Sequence, residues 1–139
     1  VAATATDRVQ AQHAQRTRAK RATLDQLRKK GRTAKEFDAK LNGEDVSFLF
    51  KAIGSVEYDQ MITAAPPTTQ QKAEGASYNQ DKFAPALLAK VCIEPELTVE
   101  EWTEIWTSPD WSRGEVGQLF WTCVELCNDG LSLVPTAQG

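Results

Sequence analysis

The spacing of apolar residues along this chain changes period, and each change marks a change of element. Residues 7–30 are rich in Ala, Gln, Arg and Lys and hold no Gly or Pro, which favours helix. Their apolar stripe is thin: Val9, a few Ala residues, then Leu24 and Leu27. A helix polar on nearly every face is marginal alone or is held by a partner. Gly31 is a plausible stop, since glycine takes the left-handed position after a helix end at little cost.

Residues 34–51 read with a period of two. Phe37, Ala39 and Leu41 alternate with charged residues, as do Val46, Phe48 and Phe50, and Asn42-Gly43 lies between the runs. That dipeptide signals a two-residue hairpin, because a type I′ turn needs positive φ at both central positions. Leu41 then pairs with Glu44, Ala39 with Val46 and Phe37 with Phe48, all on one face. That face needs a cover, and the segments after it read as helices.

Helical spacing returns at Ser55, the expected cap of a short helix with Tyr58, Met61, Ile62 and Ala65 on one face. Pro66-Pro67 stops it. Residues 68–78 read as a connection with at most one helical turn. Residues 80–92 align Phe83, Leu87, Leu88 and Val91, and Asn79 is a candidate cap. Pro85 suits the helix better if it starts later, near Asp81–Phe83. Pro95 ends that segment. Thr98 with Glu101 and Ser112 with Glu115 fit the S/T-x-x-E capping box, in which each side chain satisfies a free backbone N–H at the helix start. Leu97 with Trp102 and Trp111 with Val116 occupy the staple positions. Residues 99–107 place Trp102 and Trp106 on an apolar face, and residues 113–128 do the same for Val116, Leu119, Phe120, Cys123, Val124 and Cys127. Trp121 projects away from that second stripe. An exposed Trp there is a candidate interface anchor.

The fold expected is α+β and mainly helical: an N-terminal helical arm, one β-hairpin and four or five short packed helices. Residues 1–33 form a basic arm, residues 34–130 a compact domain and residues 131–139 a loose tail. Length fits one domain of 139 residues with an appended arm. No apolar run approaches the ~20 residues needed to span a bilayer, so no membrane role is expected. The odd count of 3 Cys, without C-x-x-C, suggests reduced thiols rather than a disulfide framework.

Charge divides the chain. Residues 1–40 hold eleven Lys/Arg against four Asp/Glu, and residues 41–139 hold five against fifteen, so a net −3 hides a basic arm on an acidic body. The arm residues Arg16, Arg18, Lys20, Arg21, Arg28, Lys29 and Lys30, with Trp121, are the candidate partner-binding residues. Such an arm reaches for an anionic partner or for the acidic body of another copy. It has no aromatic residue for stacking on bases, and the acidic body repels phosphate, so a protein partner outranks nucleic acid.

Catalytic chemistry is sparse. Cys123 and Cys127 stand one helical turn apart, half of a metal site. The one His, His13, lies in the arm, and both Cys fall on the apolar stripe, where thiols pack as small hydrophobes. Glu100, Glu101 and Glu104 suit the outer face of a helix N-terminus better than acid–base work. There is no G-x-G-x-x-G and no phosphate loop. The chain therefore reads as a binding protein, not an enzyme, with no catalytic, cofactor or metal residues expected.

One run of short motifs points to a family. It comprises Phe48-Leu49-Phe50-Lys51-Ala52-Ile53-Gly54, Glu57-Tyr58, Ala65-Pro66-Pro67-Thr68, Tyr78-Asn79, Phe83-Ala84-Pro85-Ala86-Leu87-Leu88, Glu94-Pro95-Glu96-Leu97-Thr98 and Trp111-Ser112-Arg113-Gly114-Glu115. In this order, across residues 44–130, the chain resembles the tail assembly chaperones of long-tailed bacteriophages, especially those of actinobacteria. Ala65 stands where members often have His, and nothing carries over onto residues 1–40. The resemblance implies a non-enzymatic protein of the host cytoplasm. It would bind the tape measure protein and keep it soluble until tail tube protein polymerises around it, and it would be absent from the finished virion. Self-association is compatible with that role. Two other readings stay open: a structural head–tail or tail component of the virion, and a nucleic-acid-binding regulator using the basic arm.

Overall fold

The computed structural model describes residues 20–135. Residues 32–129 form one compact unit, and the described residues 20–31 and 130–135 belong to a separate one.

The hairpin forms as its alternation requires. Strands β1 (Lys35–Leu41) and β2 (Glu44–Phe50) are antiparallel, with Leu41 opposite Glu44, Ala39 opposite Val46 and Phe37 opposite Phe48. Asn42 has φ 52° and Gly43 φ 82°, the two positive values a type I′ turn demands. The sheet is larger than a hairpin. Strand β3 (Cys92–Glu94) pairs antiparallel with β2 and makes it the central strand. The expected helix over 80–92 therefore ends at Val91, and Cys92 turns extended with ψ 111°. The backbone N–H of Lys51 donates to the carbonyl of Val91 at 2.9 Å, tying the end of β2 to the point of this change.

Among the described residues there are six helices, and five of them lie in the compact unit: α2 (Ser55–Thr63), α3 (Thr69–Ala73), α4 (Gln80–Val91), α5 (Val99–Trp106) and α6 (Arg113–Asn128). This is a mainly helical α+β fold, as the periodicity implies. Both expected capping boxes form. Thr98 and Glu101 exchange bonds of 3.0 and 3.1 Å, and Ser112 and Glu115 bonds of 2.8 and 3.1 Å. A third box, Thr68 with Gln71, starts the short α3. Gly54 rather than Ser55 occupies the cap position of α2, without a side-chain bond.

Asn79 caps α4, and Pro85 sits inside the helix instead of forcing a later start. Proline there forfeits one backbone bond to the carbonyl of Asp81, an exposed residue. Core packing offsets the loss. Phe83, in the first turn, meets Tyr58 at 5.4 Å, Tyr78 at 5.3 Å and Phe120 at 5.8 Å between ring centroids. Phe83 and Phe120, with Phe50, Leu87, Leu88, Val91, Trp102 and Cys123, are buried in the core, and Tyr58 and Tyr78 pack against it half-buried. Trp102 is buried as expected. Trp106 is only half-buried, because its indole N–H reaches out to donate to the Asp81 carboxylate at 3.0 Å. Glu100, Glu101 and Glu104 are exposed.

The arm departs from expectation. Within residues 20–30, helix is confined to α1 (Leu24–Arg28), and Lys20, Arg21 and Ala22 are not helical. Thr23 is the reason. Its side chain accepts from the Gln26 N–H, and Gln26 returns a bond to the Thr23 N–H, so a new helix start is written inside the expected one. The expected helix over residues 7–19 lies outside the described residues. Residues 130–135 carry no regular structure.

Candidate protein-binding groove

The inner hairpin face and α6 enclose the feature best suited to bind something. Hairpin alternation sends Phe37, Phe48 and Phe50 to one face. Phe50 stacks between its neighbours, 5.4 Å from Phe37 and 5.8 Å from Phe48. Phe48 and Phe50 are buried, but Phe37, Leu41 and Val46, nearer the turn, are only half-buried. The helical cover runs out before the strands do. What remains is a groove of about 390 Å³, floored by Phe37, Leu41, Phe48 and Phe50 and walled by Leu119 of α6 and by Trp111, just before that helix. Asp38, Lys40 and Glu115 also line it and give it a charged margin. Ser112 places that wall: its capping box fixes where α6 begins, and so the height at which Leu119 faces the hairpin.

None of the three thiols lines the groove. Burial pushes the Cys92 thiol up to about 11, although a bond from the Glu94 backbone works the other way. Cys92 also donates to the Pro95 carbonyl at 3.2 Å. Burial pushes Cys123 higher still, with Cys127 and Cys92 nearby adding to the effect. Cys127 is raised by the same cause. Thiols held protonated are poor nucleophiles. Among the described residues no group of three or more His, Cys, Asp or Glu is placed to hold a metal ion. No helix among them is long and apolar enough to cross a membrane.

The candidate residues read from sequence do not gather in this groove. Trp121 is 49% exposed on α6, its ring 5.0 Å from Phe120, and is not part of the groove lining. Lys20, Arg21, Arg28, Lys29 and Lys30 are exposed in the separate unit. Arg16 and Arg18 lie outside the described residues. The groove residues themselves went unassigned as a site, although the alternating hairpin face in want of a cover was their signal.

Comparison with known protein families, with curated proteins and with solved structures finds no match to this chain.

Proposed function

We propose that this chain is a phage tail assembly chaperone that shields an amphipathic helix of the tape measure protein in the groove between hairpin and α6. The observation that carries the reading is the half-covered aromatic face of the hairpin, open beside Leu119 and Trp111. An amphipathic helix laid there buries its stripe against rings that the fold itself leaves incompletely covered. A small-molecule ligand fits less well. Such pockets enclose most of the ligand's surface, whereas the charged residues that line this groove, Asp38, Lys40 and Glu115, are all exposed. The order of motifs across residues 44–130 supports the same role, and with it a site of action in the host cytoplasm and release when tail tube protein displaces the chaperone. No residue is assigned a catalytic role.

The test is co-expression of the tape measure protein with this chain and with Leu119→Glu or Phe37→Glu. Both targets are half-buried rather than central to the core, so the domain is expected to stay folded by circular dichroism, with a lowered melting point. The wild-type chain is expected to hold the client in the soluble fraction, and the two variants to lose most of that effect. A client equally insoluble with or without the wild-type chain sinks the proposal, as do folded variants that solubilise it fully. Recovery of the chain in stoichiometric amount from purified particles would favour a structural component of the virion instead.

A further inference from the structure

A second groove, remote from any role assigned above, lies where α4 passes the turn into α5. Met61, Ala86, Ala89, Leu97 and Val99 give it an apolar floor, and Val99 is 44% exposed. Its lining holds one charge of each sign, Lys90 and Glu96, but the chain that runs on from it is acidic. From Val91 to Ser112 the chain has no Lys or Arg, while Glu94, Glu96, Glu100, Glu101, Glu104 and Asp110 are all exposed. Lys90 on the opposite margin is drawn to Glu57 at 3.7 Å.

The complementary surface is on the same polypeptide. Leu24 and Leu27 of α1 are 60% and 64% exposed, so a five-residue helix shows both of its leucines to solvent. Around them stand Lys20, Arg21, Arg28, Lys29 and Lys30, every one exposed. Such a helix is far too short to persist alone in water and calls for something that covers its leucines. An apolar pair among cations matches an apolar floor that has Glu96 in its lining and Glu100 and Glu104 exposed on the adjoining α5. Leu24, Leu27 and Val99 are all exposed.

We propose that these surfaces join different copies of the chain: the basic segment of one molecule docks its two leucines on the Leu97–Val99 groove of the next. The contact is heterologous, with a different patch on each partner. Copies therefore add head to tail and either close into a ring or extend as an open string. Only a short segment is buried, so the contact is weak and depends on salt, because the attraction is between solvent-exposed charges.

Sedimentation velocity on the full-length chain tests this. The wild type is expected to associate in about 0.01 M salt, where charges reach ~30 Å, and to dissociate in about 1 M salt, where they reach ~3 Å. Two charge reversals then separate the halves of the contact: Arg28→Glu/Lys29→Glu/Lys30→Glu in the segment, and Glu96→Lys/Glu100→Lys/Glu104→Lys beside the groove. Glu101 is left alone because it closes the α5 capping box. Each variant is expected to be monomeric by itself. The segment variant keeps a native groove and the groove variant a native segment, and the two reversed surfaces are themselves opposite in charge, so an equimolar mixture has attractive contacts in both directions and is expected to associate again in low salt. A wild type that stays monomeric in low salt at high concentration overturns the proposal. So does a mixture that remains monomeric, which is the outcome if the segment covers its own groove, and so does association of both variants alone that matches the wild type. Circular dichroism of each variant alone checks that both are folded.

Discussion

Two glycines in open space make opposite predictions from one property, the sign of φ. At Gly43 a Cβ would meet no atom within 4 Å, yet φ is +82°. At Gly117, inside α6, a Cβ would again meet nothing within 4 Å, and φ is helical. Steric clash is thus removed from both comparisons and only the backbone is left. Alanine at position 43 must hold a left-handed conformation, which costs an L-residue roughly 1–2 kcal/mol. Alanine at position 117 gains roughly 0.5–1 kcal/mol, because glycine loses more freedom on entering a helix. We therefore predict that Gly43→Ala destabilises the domain and Gly117→Ala stabilises it, with a gap between them of roughly 1.5–3 kcal/mol. Gly43→Asn should fall between wild type and Gly43→Ala, since asparagine tolerates positive φ better. Urea unfolding measures this directly, read as a change in midpoint at constant slope. For a unit of this size each kcal/mol also moves the melting point by roughly 4–8 °C. A Gly43→Ala variant at or above wild-type stability would refute the type I′ turn and the register that follows from it. A destabilised Gly117→Ala variant would show that the helix surface there is not open.

Three further outcomes follow from the core, the caps and the thiols. Trp102→Ala should cost roughly 3–5 kcal/mol, and Trp102→Phe distinctly less: the buried indole N–H has no hydrogen-bond partner, so phenylalanine forfeits only volume. Equal losses for the two in a urea titration would contradict this. Thr98→Ala and Ser112→Ala should each cost ~1 kcal/mol through the lost cap, and Ser112→Ala should in addition weaken client binding by loosening the α6 wall of the groove. Unchanged binding in a folded Ser112→Ala protein would separate the cap from the site. Finally, burial raises the folded thiol of Cys92 from its ordinary 9.0 to about 11. The unfolded chain loses that proton first, so this contribution to stability is complete below pH 9 and declines as pH rises toward 11. The urea midpoint should fall between pH 8.5 and 10.5, and less so in Cys92→Ala.

The parts of this fold that can be read from sequence are those fixed by neighbours in the chain. Asn42-Gly43 sets a two-residue turn, the turn sets the register, and the register puts Phe37 opposite Phe48 without reference to the rest of the protein. The Thr98 and Ser112 boxes are likewise closed within four residues. What escapes reading is decided at a distance. Pro85 argues locally for a shorter α4, but Phe83 must be helical to reach Tyr58, Tyr78 and Phe120, and three aromatic contacts outweigh one missing backbone bond. Cys92–Glu94 continues an apolar helical stripe and carries no strand signal. It becomes a strand because β2 offers an open edge beside the buried Phe50. The binding groove has the same origin. Alternation shows that the hairpin face must be covered, and helical spacing shows that α6 has a stripe to cover it with. Neither shows that the cover stops short of Phe37 and Leu41. That shortfall depends on the angle and height at which two distant elements meet. The candidate groove is therefore formed by residues whose own patterns are those of ordinary core.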